Sequence, residues 1–180
     1  MSRVVYIGGL DNSTRNAQGV ASALEEYYNE VEAFTLRQAW VASDELYSAV
    51  DGADVVTHSI GMAAIWGVSA NRIVAFAPPF QYPPNKSVVS SVNPDPREHP
   101  FGDDPDAVNI AIAAGRHGIP VSLVIPRDDE YYQLTSQREI TARAAGINIL
   151  RILGTHYDFA SHPAEALLQS GFKDLISKQR

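Results

Sequence analysis

Along this chain, short runs of β-branched and other apolar residues alternate with longer stretches in which apolar side chains recur every third or fourth position. The runs read as strands at Val4–Ile7, Val31–Thr35, Val55–Thr57, Ile73–Ala77, Val121–Ile125 and Asn148–Ile152. The stretches between them read as helices at about Ala17–Tyr28, Ser43–Val50, Gly61–Ser69, Pro105–His117, Leu134–Ala145 and Pro163–Lys178. Two helix starts carry their own signals: Asp104 before Pro105 reads as a cap and first helical residue, and Ser161 before His162-Pro163 reads in the same way. Repeated βα units of this kind build a parallel sheet covered by helices. The predicted fold is therefore α/β, a single domain over residues 1–180 with six strands and six helices.

One segment breaks the rhythm. Pro78 to Pro105 holds eight of the chain's 11 prolines and has no clear period. Because proline fixes φ and removes a backbone donor, this stretch is expected to be neither a regular helix nor an inner strand. Loops longer than about 12–15 residues in compact domains are usually functional or disordered. A lid-like insertion at about 78–105 and a plain surface excursion are both compatible with it.

Composition narrows the chemistry more than the fold. The 180 residues suit one domain, and the balance of 45% hydrophobic to 19% charged residues is that of a globular protein. A net charge of −7 with scattered Lys and Arg argues against a nucleic-acid partner, which needs a clustered basic face. The lack of cysteine excludes disulfides, thiolate metal sites and a cysteine nucleophile. Residues 1–10 carry no signal-like pattern, and no apolar stretch approaches the roughly 20 residues of a membrane helix. The expectation is a soluble, cytoplasmic protein with no membrane span.

The candidate chemistry lies where strands end. Thr57-His58-Ser59-Ile60-Gly61 joins the strand at Val55–Thr57 to an apolar helical run, an arrangement that lifts a serine hydroxyl out of a sheet. Ser59 read more plainly would cap the following helix. Val121–Ile125 runs into Pro126-Arg127-Asp128-Asp129, and the run ending at Leu153 leads into Gly154-Thr155-His156. Serine, aspartate and histidine thus each follow a strand, in that chain order. His156 is the candidate base because it alone sits a short glycine turn beyond a strand; His58, His99, His117 and His162 are the rivals.

Order and placement together resemble the α/β-hydrolase family over nearly the whole chain, and exclude the chymotrypsin and subtilisin orders. The resemblance implies a compact three-layer α/β/α fold beginning at the family's third strand, with strand order 2-1-3-4-5-6 and the site at the reversal between strands 1 and 3. It also implies Ser59 as nucleophile, His156 as base and an aspartate as its orienting partner. Counting three residues from Pro126 gives Asp129, with Asp128 one position away. Two features depart from the family's pattern: Thr57 stands where the first glycine of the elbow belongs, and the usual histidine-glycine pair after the first strand is absent.

An oxyanion needs two preorganised donors. The resemblance assigns one to the N–H of Ile60 and the other to the turn Ile7-Gly8-Gly9-Leu10, from Gly9 or Leu10. Nucleotide-binding glycine spacings and metal-ligand spacings are missing, so no cofactor and no metal are implied, and Asp103-Asp104-Pro105-Asp106 reads as helix capping. Trp66, Phe80, Tyr82, Tyr131 and Tyr132 line an acyl pocket or pack the core. The function implied is cleavage of an ester, thioester or related acyl bond of a small-molecule substrate. The alternatives are a hydrolase-shaped binding protein without turnover and, more remotely, a phosphate-binding doubly wound domain.

Overall fold

The structure, a computed structural model, describes residues 2–9, 14–65, 67–80 and 106–177. Its strands are β1 (Arg3–Ile7), β2 (Glu30–Phe34), β3 (Asp54–His58), β4 (Arg72–Phe76), β5 (Val121–Pro126) and β6 (Asn148–Ile152). They form one sheet in the order β2-β1-β3-β4-β5-β6, every neighbouring pair parallel. Burial follows position in that order. All of β3 is buried, as expected of an inner strand covered on both faces, whereas the edge strand β2 turns Glu30 and Glu32 outward.

Alternate side chains of the sheet feed two cores. Val5, Ile7, Val55, Ile73 and Leu123 pack on one face against α2 (Leu36–Val41), α3 (Ser43–Val50), α4 (Ala107–Arg116), α5 (Ser136–Ala144) and the 3₁₀ helix Ser59–Ile65. Val4, Tyr6, Val56, Val74 and Val124 pack on the other against α1 (Thr14–Leu24), α6 (Asp158–Ser161), α7 (Pro163–Gln169) and α8 (Phe172–Ser177). The result is a three-layer α/β/α sandwich. Among the described residues no helix is long and apolar enough to cross a membrane.

Several helix boundaries differ from the sequence reading, each for a local reason. Thr35 belongs to a cap and not to the second strand: its hydroxyl accepts from the Gln38 N–H at 3.2 Å while Gln38 Oε1 accepts from the Thr35 N–H at 2.8 Å. That reciprocal pair starts α2, a helix absent from the reading. The first helix occupies Thr14–Leu24 instead of Ala17–Tyr28, and the Tyr28 hydroxyl is drawn off to Asp54 at 2.8 Å. The segment expected as a helix at Gly61–Ser69 is the 3₁₀ helix Ser59–Ile65, buried on all sides and followed by Gly67 at φ 77°. The expected helix Pro163–Lys178 is broken by Gly171 at φ 61°. Ser161 ends α6, and His162 stands at the start of α7 without a side-chain capping bond. Asp106 caps α4 by accepting from the N–H groups of Val108 at 2.9 Å and Asn109 at 3.1 Å, so Asp104 and Pro105, expected in that role, precede the cap.

The proline-rich segment leaves the sheet at the carboxyl end of β4. Near its start the Pro79 carbonyl accepts from the Ala107 N–H at 2.7 Å. Phe80 is buried in the core on the α4 face. Residues 81–105, with Tyr82 and His99, lie outside the described residues, as do Leu10 and Trp66.

Candidate active site

Ser59 follows β3 directly and takes φ 53°, a left-handed conformation that costs an L-residue about 1–2 kcal/mol. The turn is held by close packing under it. A Cβ on Gly61 would stand 2.6 Å from the Ile7 carbonyl oxygen and 2.7 Å from that of Gly8, so only glycine fits there against the end of β1. A Cβ on Gly9 would come within 2.7 Å of Ser59 Cβ. The turn after β1 therefore touches the serine, at the place where the strand order reverses between β1 and β3.

Thr57, in the position where the related motif has glycine, is fully buried between Ile7 of β1 and Ala75 of β4. Its hydroxyl finds no hydrogen-bond partner among the described residues. The small side chain of Ala75 lies opposite it, and the elbow forms with threonine in place.

Asp129 and His156 reach Ser59 through a continuation of the β5–β6 pairing. Beyond the strands the Arg127 N–H donates to the Ile152 carbonyl at 3.0 Å and the Asp128 N–H to the Gly154 carbonyl at 3.1 Å. Those bonds run the two loops side by side. Gly154, at φ 116° with the Asp158 carboxylate against it, then turns the chain, and the Thr155 N–H donates to Asp158 Oδ2 at 2.6 Å.

The outcome is a hydrogen-bonded chain of three buried side chains. His156 Nε2 lies 2.9 Å from Ser59 Oγ, and His156 Nδ1 lies 3.0 Å from Asp129 Oδ2. Ser59, Asp129 and His156 are each 5–6% exposed. The protons follow from the partners: a carboxylate only accepts, so Nδ1 carries the hydrogen, and in the neutral ring Nε2 is left to accept the serine hydroxyl. The other Asp129 oxygen accepts from the N–H groups of Tyr131 at 2.9 Å and Tyr132 at 2.8 Å, which fixes the carboxylate. Asp128 is exposed.

Of the other residues read from the sequence, Ile60 follows the serine and is buried, with its N–H at the start of the 3₁₀ helix. Tyr131 and Tyr132 have their rings 5.0 and 5.3 Å from that of His156. His117 ends α4 and His162 stands at the start of α7, and neither is a member of this chain of bonds. His58, one of the rivals, is buried beside His156, its Nε2 2.9 Å from the His156 carbonyl oxygen. Glu130 accepts from the His156 N–H at 3.3 Å. Neither contact was expected. The available signal for the first was a histidine at the very end of an apolar strand, ahead of the serine, where both faces of the sheet are covered.

No protein-family model matches this sequence, and no curated protein matches it. Solved structures do. A carboxylesterase of the thaumarchaeon Nitrososphaera gargenis superposes with a TM-score of 0.65 at 12% identity, covering 99% of this chain and 92% of its own. A monoacylglycerol lipase of Paleococcus ferrophilus gives 0.63 at 15% identity, over 97% and 94% of the two chains. The thioesterase domain of a curacin biosynthetic pathway gives 0.59 at 12%, over 93% and 90%. With six parallel strands in the order 2-1-3-4-5-6 and these neighbours along its length, the chain has the α/β-hydrolase fold.

Proposed function

We propose that this protein is a serine hydrolase that cleaves an ester, thioester or related acyl bond of a small molecule through an acyl-enzyme on Ser59. The observation that carries the reading is the chain from Ser59 Oγ through both nitrogens of His156 to Asp129. A serine hydroxyl is a weak nucleophile until a base removes its proton, and an unprotonated Nε2 at 2.9 Å is within reach to do so. As Oγ attacks the substrate carbonyl, the proton moves to Nε2 and Asp129 stabilises the imidazolium. The oxyanion is taken up by the N–H of Ile60 and a second N–H from the turn at Gly9 or Leu10. His156 then gives its proton to the leaving group, and water, activated by the same imidazole, releases the acid. Neighbours described as a carboxylesterase, a lipase and a thioesterase support the substrate class.

Residues 78–105 are, on this reading, a lid-like insertion of the single domain over the acyl pocket. The bond from Ala107 to Pro79 supports it, since it closes the insertion at the carboxyl end of β4, the side on which β3 delivers Ser59. A series of p-nitrophenyl esters from acetate to octanoate tests both statements. The purified protein is expected to release p-nitrophenolate well above the uncatalysed rate, and a chain with 82–104 replaced by a short Gly-Ser linker to change its preferred acyl length. No release above buffer contradicts the hydrolase; an unchanged length profile in a folded, shortened chain contradicts the lid.

A further inference from the structure

The side chain of His156 is fixed by Asp129, but its main chain has no such support from secondary structure. It lies in the turn between β6 and α6, and among the described residues neither its N–H nor its carbonyl pairs with another main-chain group. Two side chains take their place. His58 Nε2 stands 2.9 Å from the His156 carbonyl oxygen, and Glu130 accepts from the His156 N–H at 3.3 Å. His58 immediately precedes Ser59, and Glu130 immediately follows Asp129. Each residue that bonds the imidazole is thus chained to a neighbour that bonds the backbone behind it.

The His58 contact is the firmer of the two. A carbonyl only accepts, so Nε2 of His58 carries its hydrogen, in the neutral and the protonated ring alike. The ring is 4% exposed and centred 5.3 Å from the ring of His156 and 5.9 Å from that of Phe159. Phe159 stacks on Phe76 of β4 at 3.9 Å and an interplanar angle of 4°, so this side of the histidine loop rests on the sheet. Glu130, by contrast, is exposed and its bond is longer.

We propose that His58 is a positioning residue for His156: its Nε2–H bond to the His156 carbonyl sets the height of the imidazole above Ser59. The proposal rests on the hydrolase reading for its effect on rate, and on geometry alone for its effect on the loop. A misplacement of about 1 Å in a catalytic group can cost on the order of a hundredfold in rate.

Three variants test it: His58→Phe fills the space without a donor, His58→Asn places an amide too short to reach, and His58→Gln carries its amide N–H at about the reach of Nε2. With p-nitrophenyl acetate, Phe and Asn are expected to lower kcat by about a hundredfold with KM nearly unchanged, and Gln to recover most of it. Amide hydrogen exchange over 153–157 is expected to speed up in Phe and Asn while β1 and β3 keep their protection. A folded Phe or Asn variant with parental kcat overturns the proposal. So does a Gln variant as slow as Asn, a loss confined to KM, or unchanged exchange in the loop. If Phe does not fold, the Gln and Asn pair decides. If the parent protein itself does not turn over, the hydrolase reading fails separately, and the exchange comparison still decides the role of His58.

Discussion

Replacing Ser59 with alanine is expected to lower hydrolysis of short p-nitrophenyl esters by about 10⁴- to 10⁶-fold, the loss typical of removing a triad nucleophile. The fold is expected to survive. Alanine keeps the Cβ that lies against Gly9, loses only one oxygen of a residue 6% exposed, and bears the φ of 53° no worse than serine does. Steady-state kinetics and a thermal melt read the two halves of the statement together. Parental turnover by a folded Ser59→Ala protein would remove Ser59 from the mechanism.

The second large effect separates two adjacent carboxylates. Asp129 offers oxygens to three donors: His156 Nδ1 and the N–H groups of Tyr131 and Tyr132. Asparagine has one carbonyl oxygen and an amide that donates. With the oxygen kept by the two tyrosine N–H groups, the amide faces His156 and the ring must move its hydrogen to Nε2, where it can no longer take the proton of Ser59. Asp129→Asn is therefore expected to lower kcat by about 10⁴-fold, the size seen when a triad acid is neutralised. Asp128→Asn, whose side chain is exposed, is expected to stay close to the parent. Equal or reversed losses in the two variants would contradict the assignment of the acid.

Much of this was legible in the chain because buried parallel strands write themselves as apolar runs. Val55–Thr57 and Val121–Ile125 need no partner to be seen, and the loop that follows each strand is placed by the strand itself. What failed was local chemistry at helix ends. The Thr35–Gln38 capping pair was present as a signal, but Thr35 also follows the apolar Ala33-Phe34 and is itself β-branched, so the strand reading absorbed it and α2 was missed. Gly171 broke a helix whose pattern continues across it. The surroundings of Thr57 in the elbow were not readable either, since that Ile7 and Ala75 flank it follows from the sheet register. The His58 contact was harder still: the His156 carbonyl is 98 residues away, and the two come together where β3 meets the loop after β6.

The central claim is that the Ser59 hydroxyl is a nucleophile activated by His156, and covalent labelling tests it most directly. The purified protein is incubated with a fluorophosphonate probe, which reacts with activated serines, and is then digested for peptide mass spectrometry. The account predicts stoichiometric modification at Ser59, abolished in Ser59→Ala and strongly slowed in Asp129→Asn. An unmodified Ser59 in folded protein, or a label at another serine that persists in Ser59→Ala, would contradict it.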